Sequence, residues 1–331
     1  MAVTSADVAR RAGVSQATVS YVLNSTPGQA ISERTRTRVR KAADDLGYQP
    51  NSAARGLRRG RTDAVVCPLP GLTLIPTLAN LVETCAGALE REGLFLVPDF
   101  TPRDGASAQV KAWRRLAPAA VLDLLLPSDD PALEELRRAG VPVLSGNLPG
   151  QLGWESAGDV YARSERVTQL EYLAARGHRH VLALLPPRLG VDIRVERRSL
   201  AAMRRTARDA GIELRVQRMA FEPGYPRRAV QEWIRNGEMP EAIAAYNDEY
   251  AIAVISALSA EGVVVPDDVA LMGLDDIPLG RTFTPALTTI TVDFTVFAES
   301  IAQAVKARAD GSTDTSSLPL PTHSVVIRES A

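Results

Sequence analysis

The chain has 331 residues, 45% of them hydrophobic and 23% charged, with a formal net charge of −1; that is room for two or three folding units, in a globular composition. No apolar run reaches membrane-spanning length and the N-terminus lacks an export pattern, so a cytoplasmic protein with no membrane partner is expected. Cys67 and Cys85 have neither metal nor disulfide spacing; they read as small core hydrophobes, and no metal or cofactor is expected.

The near-zero net charge hides an asymmetry. Residues 1–62 hold eleven Lys and Arg against four Asp and Glu. A small basic head on an acidic body suits a polyanion at the head alone, and nucleic acid is the simplest one. The head opens with a short helix over Ala6–Ala12, with Val8 and Ala12 on one face. Gly13 closes it, Val14 plugs the turn, and Ser15 stands at the N-cap of a second helix that turns Val19, Val22 and Leu23 inward. Two short helices joined this way form a helix-turn-helix, whose second helix can enter the major groove. Its other face carries Gln16, Ala17, Thr18, Ser20, Tyr21 and Asn24. These side chains offer donors, acceptors and a methyl group to base edges. An ordinary helical hairpin is the competing reading.

A loop at Pro27 and Gly28 leads to a third helix, capped by Ser32, with Val39, Ala42, Ala43 and Leu46 inward and Gly47 at its end. Arg34, Arg36, Arg38, Arg40 and Lys41 are expected on its exposed side, where they can neutralise phosphates. Ser32 and Thr35 are candidate phosphate hydrogen-bond donors. Next, Pro50 and Asn51 start a segment, Ser52–Leu57, too short to be a stable helix alone in water. A conditional helix ending in a leucine suits insertion into a minor groove; a plain linker is the alternative.

The stretch DVARRAGVSQATVSYVLN, the SERTRTRV helix and LGYQPNSAARGL together resemble the headpiece and hinge of the LacI/GalR family of bacterial repressors. The resemblance implies that hinge helices of two subunits pair in the minor groove, with Leu57 at the wedge position. It assigns base preference to Gln16, Ala17 and Tyr21, and backbone positioning mainly to Ser15, Thr18, Ser20, Asn24, Asn51 and Tyr48. Ser5, Ala54 and Arg55 are counted with this DNA-contacting set.

From Asp63 onward, continuous apolar runs (AVVCPLP, LFLVPDF, AAVLDLLLP, VPVLSG) alternate with helical patterns, and a second such set begins near residue 166. That alternation predicts buried parallel strands in two α/β halves, with a cleft at the carboxyl ends of their strands. The segments RGHRHV, ERRSLAAM and YNDEYAIAVISALSAEGVVVPDDVALMGLDDIPLGRTFTPALTTI, with DF at 293–294, resemble the same family's effector-binding core, itself similar to periplasmic sugar-binding proteins. The expected fold is an all-α helix-turn-helix headpiece plus an α/β two-lobed core of doubly wound parallel-sheet subdomains. The expected divisions are a headpiece at 1–49, a hinge at 50–62 and a core at 63–331. Lobe one takes about 63–159 and 290–320, and lobe two about 160–289 and 321–331.

By position in the resemblance, Asn147, Arg197, Tyr225, Asn247, Asp275 and Phe294 line the effector cleft. Ile75, Val160, Tyr161, Glu165 and Trp154 depart from the family pattern, so a cleft more apolar than a sugar site is expected, with a ligand other than a simple sugar or none. No nucleophile elbow or phosphate loop is present, and the histidines are only His178, His180 and His323. Asp275 and Asp276 are consecutive, and after a strand such residues point to opposite sides. No enzyme is expected. The reading is a homodimeric transcriptional repressor on a double-stranded, pseudo-palindromic operator, modulated by a small-molecule effector. A sequence-tolerant architectural DNA-binding protein and a sugar-binding transport component are the alternatives. No leucine heptad follows residues 328–330, so a helical tetramerisation tag is not expected.

Overall fold

Val8, Ala9 and Ala12 on α1 (Ser5–Ala12), Val19 and Val22 on α2 (Gln16–Leu23), and Val39, Ala42 and Ala43 on α3 (Glu33–Leu46) are buried in one cluster. In the computed structural model, the residues described are 3–23, 28–48, 56, 60–69, 76–124, 130–145, 165–187, 193–312 and 319–331. The chain divides into two compact units, Met1–Asp63 and Ala64–Ala331. In the first, valine and alanine at helical spacing let three short helices approach closely, and local caps set their ends. Thr4 caps α1 one residue earlier than the periodicity predicts, in a reciprocal box: Thr4 Oγ1 accepts from the amide of Asp7, and Asp7 Oδ2 accepts from the Thr4 amide at 3.0 Å. Gly13 and Gly47 close α1 and α3 in the left-handed conformation, at φ 63° and 62°.

The second unit holds two four-stranded parallel sheets with the same strand order. The first sheet runs β2 (Phe95–Asp99), β1 (Ala64–Pro68), β3 (Ala120–Asp123), β4 (Val143–Ser145). The second runs β6 (Glu213–Arg218), β5 (His180–Leu185), β7 (Ala242–Ala244), β8 (Ala270–Met272). The inner strands are buried almost throughout, as continuous apolar runs require when helices cover both faces. The outer strands β2 and β6 stay partly exposed, and β2 carries Pro98, which an edge strand tolerates. Cys67 and Cys85 are both fully buried and free, and burial pushes the Cys85 thiol up to about 12, so both act as core hydrophobes.

Around the first sheet lie α4 (Pro76–Arg91), α5 (Ala106–Arg114) and α6 (Pro131–Arg138). Around the second lie α7 (Glu165–Ala175), α8 (Ile193–Asp209), α9 (Tyr225–Asn236), α10 (Asp248–Ala260) and the short α11 (Pro278–Thr282). The two lobes interleave. Strand β9 (Thr289–Asp293) starts with Thr289 bonded to Asp248 of lobe two and ends with Val292 in the core of lobe one. Helix α12 (Thr295–Ala309) then packs Phe297, Ala298, Ile301, Ala302 and Val305 into lobe one, before β10 (Thr322–Val326) returns antiparallel to β9.

Lobe two is organised round Asp248, which is fully buried. One carboxylate oxygen accepts from Thr289 Oγ1 at 2.5 Å and the other from the Ile277 amide at 2.8 Å. Gly273 makes room for it: a Cβ there would stand 2.0 Å from Asp248 Oδ1 and 2.9 Å from Leu287 Cδ2. Gly273→Ala is therefore expected to destabilise the second unit by about 1–3 kcal/mol or more. A lowered urea midpoint for that unit, with an unchanged slope, would report it.

Candidate nucleic-acid interface and interlobe site

The presented face of α2 follows from its cap and its core. Ser15 Oγ accepts from the Thr18 amide at 3.1 Å, and the two hydroxyls share a second bond at 2.9 Å. With Val19 and Val22 facing inward, Gln16, Ala17 and Tyr21 are exposed, while Thr18 and Ser20 are half-buried beside them. Ser5, on the first turn of α1, is half-buried. Tyr48 packs against the helical core and donates its amide to Ala43 O at 2.8 Å, closing α3. Ser32 caps α3 and its hydroxyl bonds Thr35 Oγ1 at 3.0 Å, so these two candidate phosphate donors partly satisfy each other. One part of the charged face differs from expectation. Arg34, Arg38, Arg40 and Lys41 are exposed, but Arg36 is half-buried, with Nη2 donating to Gln29 O at 3.5 Å and Nε 3.5 Å from Glu33. It braces the loop before α3. Asn24, Asn51, Ala54, Arg55 and Leu57 lie outside the described residues.

In the second unit the carboxyl ends of the two sheets face each other. Thr77, at the start of α4 after β1, donates its hydroxyl to Asp275, just beyond β8. The turn holding Asp275 is left-handed at both acids, with φ 113° at Asp275 and 52° at Asp276, so strand alternation does not continue through them, and the two carboxyls take different partners. Asp276 accepts from Arg328 and, at 2.8 Å, from Arg281. The second oxygen of Asp275 is buried without a partner. Burial, reinforced by the charge of Asp248 and opposed by Arg166, pushes the Asp275 carboxyl up to about 8. Arg166 of α7 lies over the Tyr246 ring, 4.7 Å from its centroid, and Nη2 donates to Tyr246 O at 3.5 Å. Tyr246 in turn meets Tyr250 edge-on at 5.5 Å. An acid lacking one partner, a cation and an aromatic face thus converge where the lobes meet. Such a set orients a ligand by hydrogen bonding and stacking.

The residues expected to line this cleft do not all gather there. Asn247 is 2% exposed, and its Oδ1 accepts from the Tyr250 amide at 3.0 Å, capping α10. Phe294 is 7% exposed and packs into the core of lobe one, because the chain turns inward as β9 ends, so its ring is not a free face. Tyr225, first residue of α9, packs on the core of lobe two beneath Arg228, whose guanidinium lies 5.5 Å from the ring centroid. Arg197 is exposed on α8. Asn147, Ile75, Trp154, Val160 and Tyr161 lie outside the described residues. Thr77, Arg166 and Tyr246 were missed; only Tyr246, directly after a strand on the carboxyl side, carries a sequence signal.

The three histidines serve structure. The His178 amide donates to Leu173 O at 3.2 Å, and burial lowers the ring's pKa. His180 bonds Glu241 at 2.8 Å, which raises its pKa, and His323 bonds Thr168 at 2.7 Å. Among the described residues no helix is long and apolar enough to cross a membrane.

Comparison with known proteins adds the following. Residues 4–51 match the family described as bacterial regulatory proteins, lacI family, and residues 170–331 match the periplasmic binding protein-like domain. The HTH-type transcriptional repressor PurR of Vibrio atlanticus (strain LGP32) is 30% identical over 296 residues, covering 86% of this chain and 85% of its own. The HTH-type transcriptional regulator CelR of Thermobifida fusca is 30% identical over 340 residues, covering 98% and 96%. Among solved structures, the lac repressor dimer bound to operator and the anti-inducer ONPF superposes with a TM-score of 0.74 at 23% identity, over 100% of this chain and 99% of that one. A CelR–cellobiose complex does so at 0.63 and 25%, over 99% and 100%.

Because the folded pKa of Asp275 is raised, protonation favours the fold: this contribution is complete below the ordinary carboxylate range and lost as pH rises through about 8. Asp275→Asn keeps the acceptor for Thr77 and removes the buried charge. Without ligand, the melting temperature is expected to fall less steeply between pH 6 and pH 9 in the variant than in the parent, as a circular-dichroism melting series would measure.

Proposed function

The chain belongs to the lacI family of bacterial regulatory proteins and is a DNA-binding transcriptional regulator with a ligand-binding core; on that premise, we propose that it works as a homodimeric, cytoplasmic repressor reading a pseudo-palindromic operator. The observation that carries this is the α2 face. Gln16, Ala17 and Tyr21 stand exposed on the second helix of a capped helix-turn-helix, in a segment with a large excess of positive charge. Two such heads on a two-fold axis meet two half-sites about one helical turn apart. The lac repressor neighbour, a dimer on its operator, supports that arrangement. The basic face of α3 adds affinity independent of sequence, and α2 adds the discrimination. In the hinge, Leu57 at the wedge position, with Ala54 and Arg55 beside it, inserts into the minor groove and kinks it.

The effector enters the cleft and hydrogen-bonds the second oxygen of Asp275 while packing on Tyr246. The Thr77–Asp275 bond, on the other oxygen of the same carboxyl, links the lobes in one arrangement. A ligand moves the lobes only by as much as its affinities for the two arrangements differ. Cellobiose, bound in the CelR neighbour, is a natural first compound for calorimetry beside less polar ones.

The direct test selects binding sites from random DNA with purified full-length protein at several salt concentrations. A two-fold symmetric consensus with a large specificity ratio is expected, whereas a flat selection with a steep salt slope would mean sequence-tolerant binding. Gln16→Ala is expected to relax the preference at one position per half-site, at about 1–3 kcal/mol for the base pair it contacts. Repeating the selection with the variant reads this out.

A further inference from the structure

Where the lobes meet, the cation of Arg166 has no counter-charge in contact with it. Its guanidinium, on the first turn of α7, makes one hydrogen bond, from Nη2 to Tyr246 O at 3.5 Å, and lies 4.7 Å from the centre of the Tyr246 ring. Glu165 and Asp275 act on its charge from nearby, but among the described residues no carboxylate forms an ion pair with it. The other acids of this wall are committed elsewhere: Asp248 to Thr289 and the Ile277 amide, Asp276 to two arginines, and Glu249 to Asn247 Nδ2 at 3.5 Å. An arginine keeps its proton at working pH, and a half-buried charge is ordinarily paired.

The bonding groups left over on this wall are chiefly donors. Nε and Nη1 of Arg166 carry no hydrogen bond and are open to solvent rather than sealed in a core. The Tyr246 hydroxyl, on a half-buried side chain directly after β7, is likewise unbonded and open. Asp275 supplies the third group. Burial holds its carboxyl up to about 8 against the opposing charge of Arg166, so at pH 7 it is mostly the neutral acid, which has a proton to donate. Of the three, only Arg166 is then charged.

We propose that the effector is a small organic acid whose single carboxylate is bound by Arg166 and the Tyr246 hydroxyl; this rests on the interlobe site proposed above and names the class of compound it takes. A carboxylate is acceptor-only, so it suits a wall of donors, and it brings one negative charge to one unpaired cation. A neutral sugar hydroxyl accepts from the same donors but leaves the guanidinium without a counter-charge. A phosphomonoester brings nearly two charges, and beyond the one arginine it meets Glu165 and Glu249, which act on the same site. In its acid form Asp275 adds a donor to the bound carboxylate; ionised, it repels it.

The test sets acids against uncharged partners on full-length protein at pH 7: glucuronate with glucose, lactate with propane-1,2-diol, and benzoate with benzyl alcohol, all at ionic strength matched with sodium chloride. Calorimetry gives affinity and amide hydrogen exchange gives location. At least one acid is expected to bind more tightly than its partner by about tenfold or more, with new protection in 165–169, 245–250 and 273–277. Arg166→Gln is expected to abolish that preference, and Arg166→Lys, which keeps the charge, to retain part of it. The acid's affinity is expected to fall as pH rises through about 8 in the parent and to stay level in Asp275→Asn. Equal affinity within every pair, with protection in those segments, would overturn the acid preference and leave the effector cleft standing. Protection confined to the basic residues 32–41, or a preference unchanged in Arg166→Gln, would overturn it too. A panel in which no compound protects those segments would overturn both. Should Arg166→Gln fail to fold, Tyr246→Phe, which removes only the hydroxyl and is expected to weaken the acid alone, decides together with the pH series of the parent.

Discussion

A carboxylate shut away from water has to find its donors inside the protein, and lobe two is built round that of Asp248. It draws the end of β8, the turn at 273–277 and the start of β9 towards the first turn of α10, accepting one bond from a strand hydroxyl and one from a turn amide. Gly273 exists at its closest approach because any side chain there would collide with it. The left-handed turn that follows aims Asp276 at two arginines and leaves Asp275 at the lobe boundary with one oxygen unpartnered. Burial raises the Asp248 carboxyl to about 6, close to working pH. A structural acid thereby sets both the position and the electrostatic environment of Asp275.

The N-terminal unit solves a different problem with local means. Among the described residues its fully buried core is eight valines and alanines, and a unit of this size buries too little surface to be rigid by packing alone. The Thr4–Asp7 box, the Ser15 and Ser32 caps and the glycines at 13 and 47 satisfy helix ends that would otherwise fray. Their bonds span three residues or so, and the face of α2 is presented as a consequence of them.

That locality explains what was legible in the sequence. Caps, turn glycines and helical valine spacing are written in adjacent residues, and buried parallel strands announce themselves as unbroken apolar runs; the three head helices and both sheets follow from them. The cleft is different. Asn247 has the chemistry of a ligand donor, yet it is 2% exposed, its oxygen caps α10 and its Nδ2 faces Glu249 at 3.5 Å. Phe294 has a flat apolar ring, but the direction in which the chain leaves β9 puts it in a core. Arg166 and Tyr246 meet across eighty positions of chain, and no pattern within α7 marks that residue for an aromatic ring in another element. Residue type was readable; direction was not. The half-burial of Arg36 is the same failure on a smaller scale, since it depends on a loop carbonyl seven residues away.

The interleaving of the lobes bears on how such a chain can be divided. Lobe one is completed by α12, which arrives only after most of lobe two has been laid down, and β10 returns to pair with the strand that carried the chain across. Neither lobe is therefore a continuous stretch that a gene fragment encodes or a single cut releases. During synthesis the first lobe waits, with the cavity for Phe297 and Ile301 open, until about 150 further residues have emerged. A sheet left uncovered that long presents apolar surface to whatever is nearby, and its safest neighbour is the rest of its own chain.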